Sequence, residues 1–280
     1  MTFKMKYSIG KDYLPKGTHR RGGTKIGKVG FIVLHDVGND GQDTNKDGKK
    51  EGTSAKNNIS YYRNTPTVYA SAHTFVDEDS ILECIPATTG TPEKAWHVLY
   101  DRPLDNKLFG DDANDIAIGV ELCYFPDNKA KSLEAYKRYI WYVAYVCHKF
   151  GLNPSTKLIG HEELDPGRKT DPTNGLKHVG KTLKQCKADI VAEYNECLGK
   201  TSTSAKPSTS TASSTKKGEY KVKVIVSSLN IRKKADVKSE KVGEINDKGT
   251  YTIVSTTNGW GKLKSGKGYI NVSTKYVKKV

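Results

Sequence analysis

Two stretches decide how this chain folds: GHEELDPGRKTDP at residues 160–172 and FIVLHD at residues 31–36. The second is an apolar run that predicts a buried β-strand, and His35 stands near its end. The first carries His161 and, ten residues later, Asp171, separated by a Pro-Gly turn. A loop with such a turn can fold back on itself. We therefore expect polar side chains from distant parts of the sequence to meet in one cleft.

The residue types that meet there are those of a metal centre. Two imidazoles and one carboxylate form a three-ligand zinc set, which leaves a fourth position for water or substrate. His35, His161 and Asp171 are the candidate ligands, and Lys169 would add a cation beside the open position, suited to an oxyanion. Spacing alone leaves an alternative open, in which both histidines are hydrogen-bonded core residues, Asp171 caps a turn and Lys169 is solvated.

Four further residues are candidates for the same cleft. Glu121 lies inside the apolar segment GVELCY, where burial would raise its pKa toward that of a general base, although a structural carboxylate is the alternative. His73 is expected on the cleft floor rather than as a fourth ligand, because a closed set of four would exclude substrate. Trp96 and His97 are expected to line the cleft and stack on a sugar, with core packing as the alternative. We assign these last three residues to substrate binding.

Residues 1–199 read as a mixture of strands and helices. Apolar segments predict strands at residues 31–35, 71–86 (two strands around a turn), 116–125 and 157–164. Helical spacing and end signals predict helices at residues 132–150, capped by Ser132 and Gly151, and at residues 178–198. This mixture predicts an α/β or α+β domain in which a central sheet packs between helices.

The remainder of the chain divides in two. Residues 200–217 are almost all Ser, Thr, Ala, Pro and Lys, the composition of a flexible linker. Residues 218–280 contain only short strand-like segments and Gly-rich turns, which predict a small all-β barrel. Of the net charge of +15, residues 200–280 carry +13. Such a charge favours a polyanionic partner: nucleic acid, anionic lipid or an anionic cell wall.

Composition excludes some classes of protein. Hydrophobic residues make up 35% of the chain, and no apolar run reaches the roughly 20 residues that span a bilayer. The first 17 residues are too polar for a signal peptide, so we expect synthesis in the cytoplasm without membrane insertion. Five cysteines without a CxxC pair are expected to be buried free thiols; they are Cys84, Cys123, Cys147, Cys186 and Cys197.

Residues 25–180 resemble the zinc N-acetylmuramoyl-L-alanine amidases, which share a fold with peptidoglycan recognition proteins. The resemblance is carried, in the family's order, by IVLHDVGN, SAHTFVDEDSILECIP, AWH, IGVEL and GHEELDPGRKTDP. It implies a mixed central β-sheet flanked by helices and a single zinc ion in a surface groove. It also implies zinc ligation by His35, His161 and Asp171.

The same resemblance implies the catalytic roles. Glu121 would be the acid/base residue and Lys169 would stabilise the oxyanion. The reaction would be hydrolysis of the amide bond between N-acetylmuramic acid and L-alanine in peptidoglycan. Two alternatives remain open: a zinc endopeptidase that cuts elsewhere in the stem peptide, and a peptidoglycan-binding protein that does not cut.

Residues 220–280 resemble bacterial Src-homology-3-type cell-wall-binding domains. The carrying segments are SLNIRKKA, NGWGKLKSGKGYINVS and YV. An amidase joined by a linker to such a domain resembles a phage endolysin or a bacterial autolysin. The polar N-terminal residues favour the endolysin, which would reach a Gram-positive wall through a separate membrane pore and lyse the host. Nucleic acid is the alternative partner for the basic region, but that region lacks the aromatic platform of single-strand binders. We expect a monomer that binds peptidoglycan and no nucleic acid.

Overall fold

This computed structural model describes residues 2–44, 46–48, 50–200, 220–237, 239–257 and 259–280. They form two compact units, one on each side of residues 201–219. The predicted linker at residues 200–217 therefore lies, apart from Lys200, outside the described residues.

The N-terminal unit is built on one six-stranded sheet. Its strands are β1 (Gly10–Lys11), β2 (Phe31–Asp36), β3 (Thr74–Val76), β4 (Ile81–Glu83), β5 (Ala117–Leu122) and β6 (Leu158–Gly160). Their spatial order is β1-β4-β3-β5-β2-β6. All neighbouring pairs are parallel except β3 with β4, which is antiparallel. The predicted mixed central sheet is confirmed.

Seven helices of the described residues complete this unit. They are α1 (Ala55–Asn64), α2 (Pro103–Phe109), α3 (Ala113–Ile116), α4 (Lys129–Lys149), α5 (His161–Leu164), α6 (Thr173–His178) and α7 (Leu183–Cys197). The mixed α/β class is thus confirmed. The sequence does not predict helices α1, α2, α3 and α6, because their apolar residues are few and α1 lies in a polar region.

Strand β2 is buried along its whole length because it lies inside the sheet with packing on both faces. Ile32 and Leu34 belong to the apolar cluster that includes Tyr139 and Trp141 of α4. Phe31 and Val33 point the other way, into a smaller cluster. Since side chains alternate along a strand, the next residue on that second face is His35, where the strand reaches the edge of the unit.

Several predicted boundaries differ from the structure. The helix predicted at residues 178–198 begins only at Leu183. Helix α4 begins earlier than predicted, because Asn128 rather than Ser132 caps it by accepting a hydrogen bond from Lys131 N. Ser132 is buried within the helix and bonds to the backbone of Phe125 instead. The segment predicted as a strand over residues 157–164 is a strand only to Gly160; His161 begins the short helix α5.

The C-terminal unit is all β, as predicted. Its strands are β7 (Tyr220–Val224), β8 (Leu229–Arg232), β9 (Lys241–Ile245), β10 (Thr250–Thr257), β11 (Trp260–Leu263), β12 (Tyr269–Asn271) and β13 (Val277–Lys279). They form one antiparallel sheet in the order β13-β7-β10-β11-β12-β8-β9. Its core is aliphatic and includes Val222, Val224 and Ile253. Closure of this sheet into a barrel stays a prediction.

Two expectations from composition can be compared with the structure. All five cysteines are buried and unpaired, which confirms the prediction of free thiols. Within the described part of the chain, no helix combines the length and the apolar character needed to cross a membrane.

Candidate metal and catalytic site

The candidate residues gather where three adjacent parallel strands end. His35 and Glu121 are register partners on β2 and β5, so their side chains lie next to each other on the same face of the sheet. His161 follows directly after β6, the neighbour of β2 on the other side. The carboxyl ends of parallel strands are where α/β folds commonly place their ligands.

The loop after His161 returns Asp171 to the same place. Glu162 N donates a hydrogen bond to Asp171 O at 2.9 Å, which closes the loop. Inside it, the buried carboxylate of Asp165 accepts a hydrogen bond from Arg102 Nη1 at 3.1 Å and also pairs with Arg168. Lys169 N donates to Asp165 O at 3.1 Å. These bonds explain why a polar loop holds one shape beside the strand ends.

Three candidate ligand atoms converge at this point. Asp171 Oδ2 lies 2.9 Å from Nδ1 of His35 and 3.0 Å from Nδ1 of His161. Ligand atoms around tetrahedral zinc, each at 2.0–2.1 Å from the ion, are about 3.3 Å apart. The two separations are close to that value, and the donor set of two nitrogens and one oxygen is one that zinc uses. The three residues therefore fit a zinc ion.

The protonation states of this group also suit a metal. Burial lowers the pKa of His161 to about 4, so its imidazole is neutral at pH 7, the form that ligates metals. Burial alone would raise the pKa of Asp171. Hydrogen bonds from His161 and His35 outweigh that effect and hold the pKa well below its usual value, so the carboxylate is charged.

A hydrogen bond that the sequence does not reveal links the end of strand β2, which carries His35, to helix α6, which follows the Asp171 loop. Asp36, the residue after His35, is buried and accepts hydrogen bonds from Gly38 N at 2.9 Å and Gly175 N at 2.8 Å. Gly175 lies in α6, immediately beyond the Asp171 loop. A Cβ atom at Gly175 would lie 2.9 Å from Asp36 Cβ, so only glycine allows this approach. The signal available in the sequence was an aspartate, Asp36, directly after His35 at the end of an apolar strand.

The ring of His97 contacts the ring of the candidate ligand His35. His35 Nε2 and His97 Nδ1 are 3.1 Å apart, and the rings are nearly perpendicular at 88°. The backbone of His97 is held by Asn114 Oδ1, which accepts its N–H at 2.8 Å. The ring lies over Gly119, where a Cβ atom would come within 2.8 Å of His97 Cγ. The side chain is largely buried, and His97 is also among the residues that line the groove beside the site.

The structure does not support the assignment of His73 to substrate binding. Its side chain is fully buried. Gly119 N donates to Nδ1 at 3.0 Å, and Nε2 lies 2.8 Å from the carbonyl oxygen of Glu93. Both ring nitrogens are therefore occupied by backbone groups, and His73 holds strands and loops together below the site.

Glu121 lies half-buried at the site with its Oε2 atom fully enclosed. Among the described residues no group forms a hydrogen bond with that oxygen. Burial raises the pKa of Glu121 well above its usual value, the negative charges of Asp171 and Asp36 add to this, and the cation of Lys169 partly opposes it. A carboxyl that accepts a proton readily, next to the three converging ligand atoms, has the properties of a general base.

A groove of about 490 Å³ opens beside these residues. His161 and Lys169 form one side of it, and Trp96 forms another. Trp96 is half-buried and contacts two exposed rings, Tyr69 at a centroid distance of 6.4 Å and Tyr100 at 6.1 Å. Trp96 thus lies where the sequence placed it, on the groove wall. Tyr69 and Tyr100 were missed, because single tyrosines in loops carry no periodic signal.

Comparisons with known proteins point to one family. Residues 25–174 match the family described as N-acetylmuramoyl-L-alanine amidase. The chain is 29% identical over 160 residues to the N-acetylmuramoyl-L-alanine amidase BlyA of Bacillus subtilis (strain 168). That alignment covers 54% of this chain and 39% of BlyA, so the chain spans well under half of this relative's length.

A solved structure, that of AmiA, has a similar fold. The hydrolase AmiA of Staphylococcus aureus, crystallised with its ligand, superposes with a TM-score of 0.50 at 25% identity over 69% of this chain and 86% of AmiA. A mutant endolysin from Bacillus subtilis superposes with a TM-score of 0.47 at 19% identity, over 65% of this chain and 98% of that one. Since the family match covers more than half of the sequence, the chain belongs to the N-acetylmuramoyl-L-alanine amidase family.

Proposed function

We propose that this protein is a zinc-dependent N-acetylmuramoyl-L-alanine amidase that cuts peptidoglycan in a Gram-positive cell wall. The bond broken is the amide between the lactyl carboxyl of N-acetylmuramic acid and the amino group of L-alanine. One observation carries the proposal: in a chain of this family, Asp171 Oδ2 lies within 3.0 Å of Nδ1 of both His35 and His161, beside an open groove.

His35, His161 and Asp171 would hold the zinc ion. When bound, zinc supplies Lewis acidity toward the amide carbonyl and toward a water molecule. The negative charge of Asp171 and the neutral imidazole of His161 are the states this role requires.

Glu121 is the acid/base residue of the proposed reaction. Its carboxylate takes a proton from the attacking water as the carbon–oxygen bond forms. It returns that proton to the alanine nitrogen as the carbon–nitrogen bond breaks. Its raised pKa suits both transfers, because the carboxyl must hold the proton between them. The products are a lactyl carboxylate and a stem peptide with a free L-alanine amino terminus.

Lys169 and the groove complete the proposed site. The cation of Lys169 would stabilise the negative oxygen that develops on the carbonyl. Trp96, with Tyr69 and Tyr100 around it, offers apolar ring faces for a sugar or a stem-peptide side chain. His97 lines the groove, where it can contact substrate, and it would also orient His35, because its Nδ1 atom faces that ring.

The C-terminal unit is proposed to be a Src-homology-3-type barrel that binds the wall. Joined through residues 200–217, it would keep the catalytic unit at a high effective concentration near its substrate. The combination is that of a phage endolysin, made in the host cytoplasm and released to the wall through a membrane pore. We propose a monomer that binds peptidoglycan and has no function on nucleic acid or within a membrane.

The deciding experiment is a digest of purified Gram-positive wall with the metal-loaded protein, analysed by mass spectrometry. New L-alanine amino termini together with free lactyl carboxylates are expected. Amino termini elsewhere in the stem peptide would instead identify a zinc endopeptidase. Binding without any new terminus would identify a peptidoglycan-binding protein. Metal analysis of the same sample is expected to find one zinc ion per chain.

A further inference from the structure

A second cavity lies beside the candidate metal site, beyond the ends of strands β2 and β5. Its volume is about 510 Å³, and the residues that line it include Gly38, Tyr124 and Asn174. Each of these stands three positions after a residue of the candidate site; the pairs are His35 and Gly38, Glu121 and Tyr124, and Asp171 and Asn174. Three residues of extended chain span at most about 11 Å. Three separate segments therefore place the second cavity within that distance of the candidate site.

The loop that follows β2 forms one wall of the second cavity and is fixed to the segment after β5. Asp127 N donates a hydrogen bond to Lys50 O at 3.3 Å. Gly52 N donates to Asp40 O at 2.8 Å, which brings the two ends of the loop together. Gly52 also packs on the backbone of Tyr124, where a Cβ atom would clash with the carbonyl oxygen. The described part of this wall thus has a defined position on the rest of the unit.

Two lysines give the second cavity a net positive charge. Lys50 comes from the loop and Lys177 from helix α6; both line the cavity and both are exposed. Among the described residues of the lining, Asp40 has the one carboxylate, and its Oδ1 atom accepts a hydrogen bond from the Tyr124 hydroxyl at 3.0 Å. Two cations and one anion around a cavity of this size favour a small anionic group.

The proposed substrate can carry such a group close to the bond that is cut. The second residue of the stem peptide is a D-glutamate joined through its γ-carboxyl, so its α-carboxyl is either free or amidated, depending on the wall. Two extended residues span about 7 Å, which is shorter than the distance bound given above. A free α-carboxyl is charged at pH 7, whereas the carboxamide is neutral.

We infer that the second cavity binds the free α-carboxylate of the second stem-peptide residue. Lys50 and Lys177 attract it, and a carboxamide at the same position loses this attraction. The enzyme therefore prefers the acidic form of the stem peptide to the amidated form. This inference rests on the proposed function for the reaction and for the position of the scissile bond. The groove lined by Trp96 and His161 remains available to the sugar.

The test is a competition between two soluble muramoyl dipeptides. One ends in L-alanyl-D-isoglutamate and the other in L-alanyl-D-isoglutamine, and both are mixed with the full-length, zinc-loaded protein. The ratio of the two released dipeptides, measured by mass spectrometry early in the reaction, gives the ratio of their kcat/KM values. Wild type should favour the acidic substrate by roughly 3- to 10-fold, because ion pairs with exposed lysines are weak. The preference should shrink in about 0.5 M salt.

Two double variants with equal loss of charge identify the lysines responsible. Lys50→Gln with Lys177→Gln should bring the ratio close to 1. The control, Lys107→Gln with Lys184→Gln, removes two exposed lysines that do not line the cavity, so the wild-type ratio should persist. Urea unfolding checks that both variants remain folded. A wild-type ratio near 1, or the same ratio in both double variants, would overturn the inference.

A binding measurement makes the result independent of turnover. The Glu121→Gln protein keeps the candidate metal ligands, and calorimetry with each muramoyl dipeptide should show the same preference for the acidic form. Lys177→Glu in that background should reverse the preference, because like charges repel. Equal affinities for the two dipeptides would contradict the cavity assignment even if the amide bond is never cut. Preferential binding of the acidic form without hydrolysis by wild type would contradict the proposed function alone.

Discussion

His35 Nε2 lies 3.1 Å from His97 Nδ1, while Nδ1 of the same His35 ring lies 2.9 Å from Asp171 Oδ2. A histidine that binds a metal through Nδ1 carries its proton on Nε2, and an acceptor for that proton fixes the ring. His97 Nδ1 stands in the acceptor's position. The burial of the His97 ring against Gly119 keeps it there.

We expect His97→Phe to weaken zinc affinity by roughly 10- to 100-fold, because the acceptor for His35 Nε2–H is lost. His97→Asn should lose less, since its Oδ1 atom restores an acceptor near the position of Nδ1. Zinc affinity is measured by competition with a chelator of known affinity. Equal affinity of the Phe variant and wild type would mean that His97 only fills space.

Replacement of a candidate ligand should abolish stoichiometric zinc. His161→Ala removes one of three protein ligands, and zinc sites of this kind need all three. The purified variant is expected to hold far less than one zinc ion per chain by mass spectrometry of the metal content, and to release no L-alanine amino termini from walls. His178→Ala is the matched control, because the His178 ring stacks on Tyr124 and does not belong to the candidate ligand set. A fully loaded His161→Ala protein would disprove the ligand assignment.

Glu121→Gln should separate chemistry from metal binding. The amide keeps the shape of the carboxyl but accepts no proton, so turnover should fall by a factor on the order of 100 or more. Zinc content should remain at one ion per chain, because Glu121 is outside the converging donor set. Turnover is followed as the release of amino termini from purified wall. Lysis at the wild-type rate would rule out a proton-transfer role.

The free energy of unfolding should decrease in mild acid, in part because of His73. Burial lowers the pKa of His73 to about 4, below its unfolded value of about 6.5. Between these values the unfolded chain binds a proton that the folded chain does not, so the free energy of unfolding decreases as pH falls. The contribution of this residue reaches about 1.4 kcal/mol per pH unit. Urea unfolding at several pH values should show a shallower dependence in His73→Gln than in wild type; parallel curves would contradict this assignment.

Gly175→Ala should disturb the contact between helix α6 and Asp36, the residue that follows His35. The added Cβ atom would lie 2.9 Å from Asp36 Cβ and 3.0 Å from Tyr124 Cδ1. Overpacking of this kind costs about 1–3 kcal/mol of unfolding free energy. Gly22→Ala is the control, because a Cβ atom there meets nothing within 4 Å. Urea unfolding of both variants measures the difference, and equal stabilities would mean that α6 moves aside without cost.

Much of the fold could be predicted because apolar periodicity and length reflect burial directly. FIVLH predicts β2, and the helical spacing in residues 132–150 predicts α4, since both elements pack on many neighbours. Residues 55–64 form α1 with only Ala55 and Ile59 buried, too few for a periodic signal. The sequence predicts the start of α4 at Ser132, because hydroxyl residues often cap helices, whereas Asn128 caps the helix four residues earlier.

By itself, the sequence determined the chemical inventory: two histidines, an aspartate, a glutamate and a lysine, each near a strand end or in a turn. Residue type and local periodicity are properties of short segments, so they are visible without a fold. Only the tertiary structure decided which atoms meet. The Asp36–Gly175 bond, the orientation of His97 toward His35 and the burial of His73 depend on contacts between segments that are 20 to 139 residues apart. Such contacts arise from packing of the whole unit, which no local pattern encodes.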